Sequence, residues 1–153
     1  MKQAERMLLH VDDDAQLSRL VSERLRVQGF TVLSLDDPTR AVRTIQSERI
    51  GCALLDVDMP GKDGFELLRE IKATDLGIQV VMFSGRIETE TVTQAQRWGA
   101  EACFLKPLVD FTPLVDALND CFRKIDRWRR ALREVSARVR DHEPISVVQP
   151  ATA

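Results

Sequence analysis

Acidic residues, a hydroxyl and an amine follow four of the short apolar runs of this sequence. Asp12 and Asp13 come after the first run, Asp56 after the third, Ser84 after the fourth and Lys106 after the fifth. Clustered carboxylates repel one another unless a cation lies among them, and their hard oxygen atoms suit Mg²⁺. If the fold gathers these residues, Asp56 could attack phosphorus as a nucleophile and form an aspartyl phosphate.

The hydroxyl and the amine suit the same reaction. A metal ion and the Lys106 ammonium would neutralise charge on a transferring phosphoryl group, and the Ser84 hydroxyl would hydrogen-bond to it. Each feature is weak alone, because Asp12 and Asp13 could cap a helix and Lys106-Pro107 could form a turn. Their coincidence at four predicted strand ends favours a common site.

The elements that must position these residues alternate regularly along the chain. Apolar runs typical of buried strands lie at 7–11, 30–35, 52–55, 80–83 and 102–105. Amphipathic stretches with helical spacing separate them. Strands that alternate with helices predict an α/β fold with a parallel sheet and helices on both faces. In such a fold, residues just beyond the carboxyl ends of the strands meet at one edge of the sheet, where sites form.

Four motifs carry a resemblance to a known family. They are "HVDDD", "LLDVDMPGKDGFELL", "VVMFSG" and "GAEACFLKP", in this order along the chain. Together they resemble the receiver domain of two-component response regulators, over residues 6 to about 122. The resemblance implies a (βα)5 doubly wound fold whose parallel five-stranded sheet has the order 2-1-3-4-5. It also implies a phosphorelay signalling domain that is not an enzyme acting on an external substrate.

The resemblance assigns roles to individual acidic residues. Asp56 is the expected phosphoacceptor, with a histidine kinase or a histidine phosphotransfer protein as the donor. The expected cofactor is Mg²⁺, which Asp12, Asp13, Asp56 and the backbone carbonyl of Asp58 would hold. Asp13 is the expected direct ligand.

Around the lysine, the chain both matches the family and departs from it. Ser84 matches the switch hydroxyl, and Lys106 matches the phosphate-binding lysine, whose bond to Pro107 is cis in the family. The family usually has Tyr or Phe three residues before this lysine, where this chain has Cys103. Phe104 follows, and we expect it to be a strand residue that points to the core.

Two charged residues flank the expected site. Asp58 lies two residues after Asp56, and Arg86 lies two residues after Ser84. In the family these positions tune how fast the phosphoryl group is lost. The two side chains could form an ion pair over the mouth of the pocket or could be separately solvated. His10 lies inside the first predicted strand, and we expect a core residue there rather than a ligand.

Two other functions stay open on the sequence alone. Asp56-Val57-Asp58 resembles the Asp-x-Asp motif of haloacid-dehalogenase-type phosphatases, although in those enzymes the motif follows the first strand. Here it follows the third predicted strand and precedes a Met-Pro pair. The other alternative is a pseudo-receiver that serves only as a docking module, against which the intact acids and Lys106 argue.

The bulk composition suits one compact domain. The chain has 153 residues, 44% of them hydrophobic. Cys52, Cys103 and Cys121 lack metal-site spacing and lie among apolar neighbours, so we interpret them as reduced core thiols of a cytoplasmic protein. The first twenty residues do not resemble a secretory signal, and no apolar run approaches the length of a membrane span. We therefore expect no membrane partner.

The C-terminal segment differs from the rest of the chain in charge. Residues 1–122 hold 14 Lys/Arg and 20 Asp/Glu, whereas residues 123–153 hold 8 and 4. We expect a receiver domain at 1–122, a basic amphipathic helical extension at 123–142 and a flexible tail at 143–153.

A heptad pattern runs into this extension. Apolar residues recur at spacings of four and three, at Leu114, Leu118, Cys121, Ile125, Trp128, Leu132, Val135 and Val139. The first three are expected to pack on the sheet, and those from Ile125 onwards need another partner. A homodimer through this helix is the simplest one, although Lys124 and Arg129 would face one another in a parallel pair. Folding back onto the domain is the alternative, and we do not expect nucleic acid to bind.

Overall fold

The protein contains one five-stranded parallel sheet, in a computed structural model that describes residues 5–75, 77–86 and 88–141. Its strands are β1 (Met7–Val11), β2 (Thr31–Leu35), β3 (Cys52–Asp56), β4 (Gln79–Ser84) and β5 (Ala102–Leu105). They lie in the order β2-β1-β3-β4-β5. The predicted α/β fold and strand order are therefore confirmed, with β3 at the centre of the sheet.

Five α-helices complete the doubly wound fold. They are α1 (Ala15–Val27), α2 (Ala41–Ser47), α3 (Gly64–Thr74), α4 (Thr89–Arg97) and α5 (Thr112–Asp141). A short 3₁₀ turn leads into α2, and Asp37 caps it by accepting hydrogen bonds from the N–H and the hydroxyl of Thr39. The Asp-Pro pair at this point thus acts as a helix start signal.

Apolar side chains fill a layer on each face of the sheet. Leu9 of β1 packs with residues of α2 and α3 on one face, and Leu8 packs with residues of α1 and α5 on the other. All five residues of β3 are buried, as expected for a central strand that is covered on both faces. Burial on both faces fixes the strand register, and with it the positions of the polar residues that follow the strands.

Helix α5 continues well past the body of the domain. Leu114, Leu118 and Cys121 are buried, in agreement with the heptad pattern. Ile125 is also buried, at 8% exposure, beside Gly51 and Phe122. This residue therefore packs on its own domain, and the expectation that it needs another partner was wrong. The next four apolar residues of the pattern are each exposed by 60% or more.

The predicted domain boundaries are not marked by a break in structure. Helix α5 runs without interruption through residues 122 and 123, and the predicted tail at 143–153 lies outside the described residues. None of the helices in the described part of the chain is long and apolar enough to cross a membrane.

The start of α3 is held close to the end of β3. The carboxylate of Asp63 accepts a hydrogen bond from the Glu66 N–H (2.8 Å), and the Glu66 carboxylate accepts one from the Asp63 N–H (3.3 Å). Gly64 begins the helix, and its N–H donates to the Val57 carbonyl (2.9 Å). A Cβ atom at Gly64 would lie 2.0 Å from the carbonyl oxygen of Asp56. Only glycine lets the two elements approach this closely.

We predict that Gly64→Ala displaces the Asp56 backbone and lowers the free energy of unfolding by about 3 kcal/mol, because the added methyl group overlaps main-chain atoms. Urea unfolding measures this change. Gly85→Ala is the matched control: a Cβ there meets no atom within 4 Å, so the change should stay within about 0.5 kcal/mol. Equal unfolding midpoints for the two variants would contradict this role of Gly64.

Candidate functional site

Three carboxylates meet at the edge of the sheet where β1 and β3 end. One oxygen atom from each of Asp12, Asp13 and Asp56 lies within 4.8 Å of the others. Asp12 and Asp56 are almost completely buried, at 1% and 4% exposure, whereas Asp13 is exposed. Negative charges this close together, two of them out of water, repel strongly unless a cation lies among them.

Lys106 brings a positive charge into this acidic cluster from the end of β5. Its Nζ donates hydrogen bonds to Asp12 Oδ2 (2.7 Å) and Asp56 Oδ1 (3.0 Å), and lies 5.2 Å from the centre of the Phe83 ring. Burial lowers the pKa of Lys106, but the two carboxylates outweigh this effect and hold the pKa above its usual value. The bond from Lys106 to Pro107 is cis, as the family resemblance implied.

One ammonium does not balance the acidic cluster fully. Burial raises the pKa of Asp56 to about 6; the hydrogen bond and charge of Lys106 act against this rise, and the charges of Asp12 and Asp13 add to it. The ionised form of Asp56 is therefore destabilised by its surroundings. A divalent cation among the three carboxylates would relieve this, and their hard oxygen atoms are the ligands that Mg²⁺ prefers. The residues present thus fit a magnesium ion.

The end of β4 adds Ser84 and a charged pair. Ser84 is fully buried, and its Oγ accepts a hydrogen bond from the backbone N–H of Arg86 (3.0 Å). The backbone N–H of Lys106 donates to the Ser84 carbonyl (2.8 Å), which joins the ends of β4 and β5. Arg86 Nη2 lies 2.6 Å from Asp58 Oδ1, and both side chains are about half exposed. Of the two alternatives for this pair, the structure has the ion pair.

The position that usually holds an aromatic residue in the family is packed without one. Cys103 is partly buried against the layer that contains α2 and α3, and burial raises the pKa of its thiol. Phe104 packs on the opposite face with residues of α1 and α5, as expected for a strand residue that points to the core. The three cysteines are all free thiols.

The closeness of His10 to the acidic cluster was not predicted. The imidazole is fully buried, as expected for a core residue, but its Nε2 lies 3.8 Å from Asp12 Oδ2. Burial lowers the pKa of His10 to about 4, so the ring is neutral near neutral pH. The signal was present in the sequence, because residues two apart in a strand point to the same face and His10 precedes Asp12 by two.

Comparison with known proteins decides the family. A family model described as "Response regulator receiver domain" matches residues 8–119, most of the chain. The chain belongs to this family. The matched residues begin in β1 and end in α5, so they include the acidic cluster, Ser84 and Lys106.

The relatives of this receiver domain are parts of longer proteins. The C4-dicarboxylate transport transcriptional regulatory protein DctD of Pseudomonas aeruginosa is 33% identical over 132 residues, which are 86% of this chain and 27% of DctD. The DNA-binding response regulator MtrA of Mycobacterium tuberculosis is 33% identical over 100 residues, 65% of this chain and 43% of MtrA. The chain thus spans between a quarter and a half of these two relatives.

Solved structures share the fold. A response regulator receiver domain protein of Clostridium thermocellum matches with a TM-score of 0.72 and 24% identity, over 82% of this chain and 98% of that one. A CheY-like receiver domain protein of Methanospirillum hungatei matches with a TM-score of 0.69 and 25% identity, over 84% and 99%.

The receiver assignment disfavours the two alternatives that the sequence left open. Asp56 ends the central third strand and Asp58 follows it, unlike the first-strand motif of the phosphatases. A pseudo-receiver would not need a buried acidic cluster with a lysine inside it. The chain is a signalling domain of the response regulator type.

We predict that Asp56→Asn stabilises the metal-free protein above pH 6. The pKa of Asp56 is about 6 in the fold, against 3.8 for an ordinary Asp. The folded state therefore binds the proton more tightly, and stability is lost as the pH rises from about 4 to about 6. Asn escapes this loss, so urea unfolding in EDTA at pH 7.5 should show a gain of about 1–3 kcal/mol that shrinks towards pH 4.

The control for this measurement is Asp126→Asn, which removes an exposed carboxylate of α5. Its effect should be small and about the same at both pH values. If Asp56→Asn and the wild type unfold at the same urea concentration at pH 7.5, burial of Asp56 carries no such cost.

Proposed function

We propose that this receiver domain is phosphorylated on Asp56 in a Mg²⁺-dependent reaction and signals through the conformational change that follows. The observation that carries the proposal is the meeting of three carboxylates with one lysine ammonium at the strand ends. A histidine kinase or a histidine phosphotransfer protein is the proposed donor, and the cytoplasm is the proposed location. The domain would catalyse only its own phosphorylation and dephosphorylation.

Four groups of this chain would hold the ion. They are the carboxylates of Asp12, Asp13 and Asp56 and the backbone carbonyl of Asp58. Bound Mg²⁺ would withdraw negative charge from the phosphoryl group during its transfer. The raised pKa of Asp56 supports this role, because it reflects a site that is short of positive charge.

Asp56 would act as the nucleophile. One of its carboxylate oxygens would form a bond to phosphorus while the bond from phosphorus to the donor's imidazole nitrogen breaks. Lys106 Nζ, which lies 3.0 Å from Asp56 Oδ1, would then donate to an oxygen of the phosphoryl group. Ser84, at the end of the neighbouring strand, would donate a hydrogen bond from its hydroxyl to another oxygen of the phosphoryl group. Attack of water on phosphorus would later cleave the new bond and restore the carboxylate.

The pair of Asp58 and Arg86 would limit that attack by water. Each residue is two positions beyond Asp56 or Ser84, and their side chains meet at 2.6 Å. Both are about half exposed, so the pair contributes only about 0–1 kcal/mol to stability. Its proposed role is therefore to cover the mouth of the site rather than to hold the fold together.

The proposal is limited to the receiver part of a signalling protein. The names of DctD and MtrA describe transcription regulation and DNA binding, but this chain spans only 27% and 43% of those proteins. For these residues we propose a protein partner and no nucleic-acid partner.

Incubation with acetyl phosphate and Mg²⁺ should increase the intact mass of the protein by one phosphoryl group. Asp56→Asn should abolish this product, because a neutral amide is a poor nucleophile. Asp58→Asn is the control: it keeps the backbone carbonyl and should still be phosphorylated. The same phosphorylated product in Asp56→Asn, at unchanged yield, would refute the assignment of the acceptor.

We further infer that α5 pairs with the same helix of a second subunit. Four apolar side chains form a stripe beyond the body of the domain and are 60–68% exposed: Trp128, Leu132, Val135 and Val139. The near end of this apolar stripe opens into a groove that Ile50 and Ile78 also line. An exposed apolar strip of this kind marks an interaction site, and a projecting helix of this length is marginally stable alone.

The proposed dimer is weak. Burying the apolar stripe of two helices against one another removes on the order of 1,000 Å² from water, the lower limit for a specific interface. In a parallel pair Lys124 would face Arg129 of the partner subunit, which is repulsive. Lys124 Nζ lies 2.8 Å from Glu101 Oε1, however, and this carboxylate would offset part of the repulsion.

We predict that Leu132→Glu raises the dimer dissociation constant at least tenfold, because it places a charge in the middle of the apolar stripe. Sedimentation equilibrium of the full chain measures the constant. Ala137→Glu, which adds the same charge to the outward side of the helix, is the matched control and should have little effect. A wild-type monomer at every concentration, with or without phosphorylation, would exclude the dimer and favour folding back onto the domain.

A further inference from the structure

We propose that His10 is a positioning residue for Asp12 in the phosphorylated, Mg²⁺-bound state. Its Nε2–H would donate a hydrogen bond to Asp12 Oδ2 when Lys106 leaves that oxygen for the phosphoryl group. This inference rests on the proposed phosphorylation of Asp56, and it concerns a side chain that has no role in that proposal.

The first observation is that His10 is buried beside a carboxylate without a partner of its own on one nitrogen. The side chain is 0% exposed, and its Nε2 makes no hydrogen bond to the described residues. That atom lies 3.8 Å from Asp12 Oδ2, which is too long for a hydrogen bond but requires only a small shift to become one. A buried polar atom without a partner costs stability, and a hydrogen bond to Asp12 would remove that cost.

The surroundings of the ring select its tautomer. On the other side, Nδ1 lies 3.5 Å from the Ser18 hydroxyl, which can donate to it. If Nδ1 carried the proton instead, the lone pair of Nε2 would face the carboxylate of Asp12, and the two would repel. The favoured ring therefore carries a proton on Nε2, directed at Asp12.

The second observation is that Asp12 shares its lysine partner with the proposed phosphoacceptor. Its Oδ1 accepts a hydrogen bond from the Asp14 N–H (2.9 Å), and its Oδ2 accepts one from Lys106 (2.7 Å). Lys106 is shared with Asp56. A phosphoryl group on Asp56 adds negative charge there and draws the ammonium away from Asp12. His10 is then the nearest side-chain donor to Asp12 Oδ2 among the described contacts, and it would keep the carboxylate oriented towards the ion.

Calorimetric titration of Mg²⁺ in the presence of beryllium fluoride, a phosphoryl analogue present in two structures of related receiver domains, tests the proposal. His10→Leu should weaken Mg²⁺ binding about tenfold while leaving the fold as stable as the wild type or more so. His10→Gln, whose amide can still donate, should bind within about threefold of the wild type. Ser22→Ala, a buried serine of α1 that bonds to Ser34 instead, is the control and should bind as the wild type does.

A nitrogen-15 NMR spectrum of the histidine rings gives a readout that a packing role would not change. The His10 signals, assigned by their loss in His10→Leu, should show a proton on Nε2, and that proton should shift downfield when Mg²⁺ and beryllium fluoride are added. A proton on Nδ1, or unchanged Mg²⁺ affinity in His10→Leu, would overturn the proposal. Phosphorylation of the wild type on Asp56, read by mass, would stand in either case.

Discussion

The site depends on one interaction, the pair of hydrogen bonds from the Lys106 ammonium to Asp12 and Asp56. Asp12 and Asp56 are both buried, with carboxylate oxygens within 4.8 Å of one another, and without a cation between them their charges would repel strongly. One ammonium contacts both carboxylates, yet the pKa of Asp56 still rises to about 6. The site is therefore held together in a state that is short of positive charge. This shortage of positive charge favours the binding of a divalent cation. It also makes the position of Lys106 depend on the charge of Asp56, since Lys106 Nζ bonds to that carboxylate.

The parallel arrangement of the sheet makes the contact of Lys106 with Asp12 and Asp56 possible. Lys106 is 94 residues from Asp12 and 50 from Asp56 along the chain, and only parallel strands deliver all three residues to the same edge. The close packing of the main chain around the site places strict requirements on the backbone. Gly64 lets α3 start against the carbonyl of Asp56, and the bond between the Lys106 N–H and the Ser84 carbonyl aligns β5 with β4. Apolar packing on both faces of the sheet keeps the strands in this register, so the apolar core fixes the geometry of the site.

The sequence predicted the fold and the membership of the acidic cluster because both follow from short-range patterns. Alternating strands and helices imply a parallel sheet, and the residues after each strand then share an edge. It could not predict how far α5 packs on the body, because the heptad spacing is the same for Ile125, which is buried, and Trp128, which is exposed. The choice between paired and solvated Asp58 and Arg86 also depends on loop geometry. His10 is a different case. Its two-residue spacing from Asp12 was visible in the sequence, but we expected a buried core residue there and assigned it no polar role.

The acidic site and the apolar stripe lie at opposite ends of the domain. The site is at the carboxyl ends of the strands, whereas the groove beside the stripe includes Gly51 and Gln79, at the amino ends of β3 and β4. Helix α5 spans both, since it begins soon after Lys106 and packs on the sheet as far as Ile125. A close-packed core does not deform gradually, so a displacement of Lys106 can reach the stripe only if α5 moves as a unit between two packed positions. Position 103 holds Cys103 and not an aromatic residue. Among the described contacts, the packing of α5 is therefore the path that could couple the proposed phosphorylation to the proposed pairing of helices.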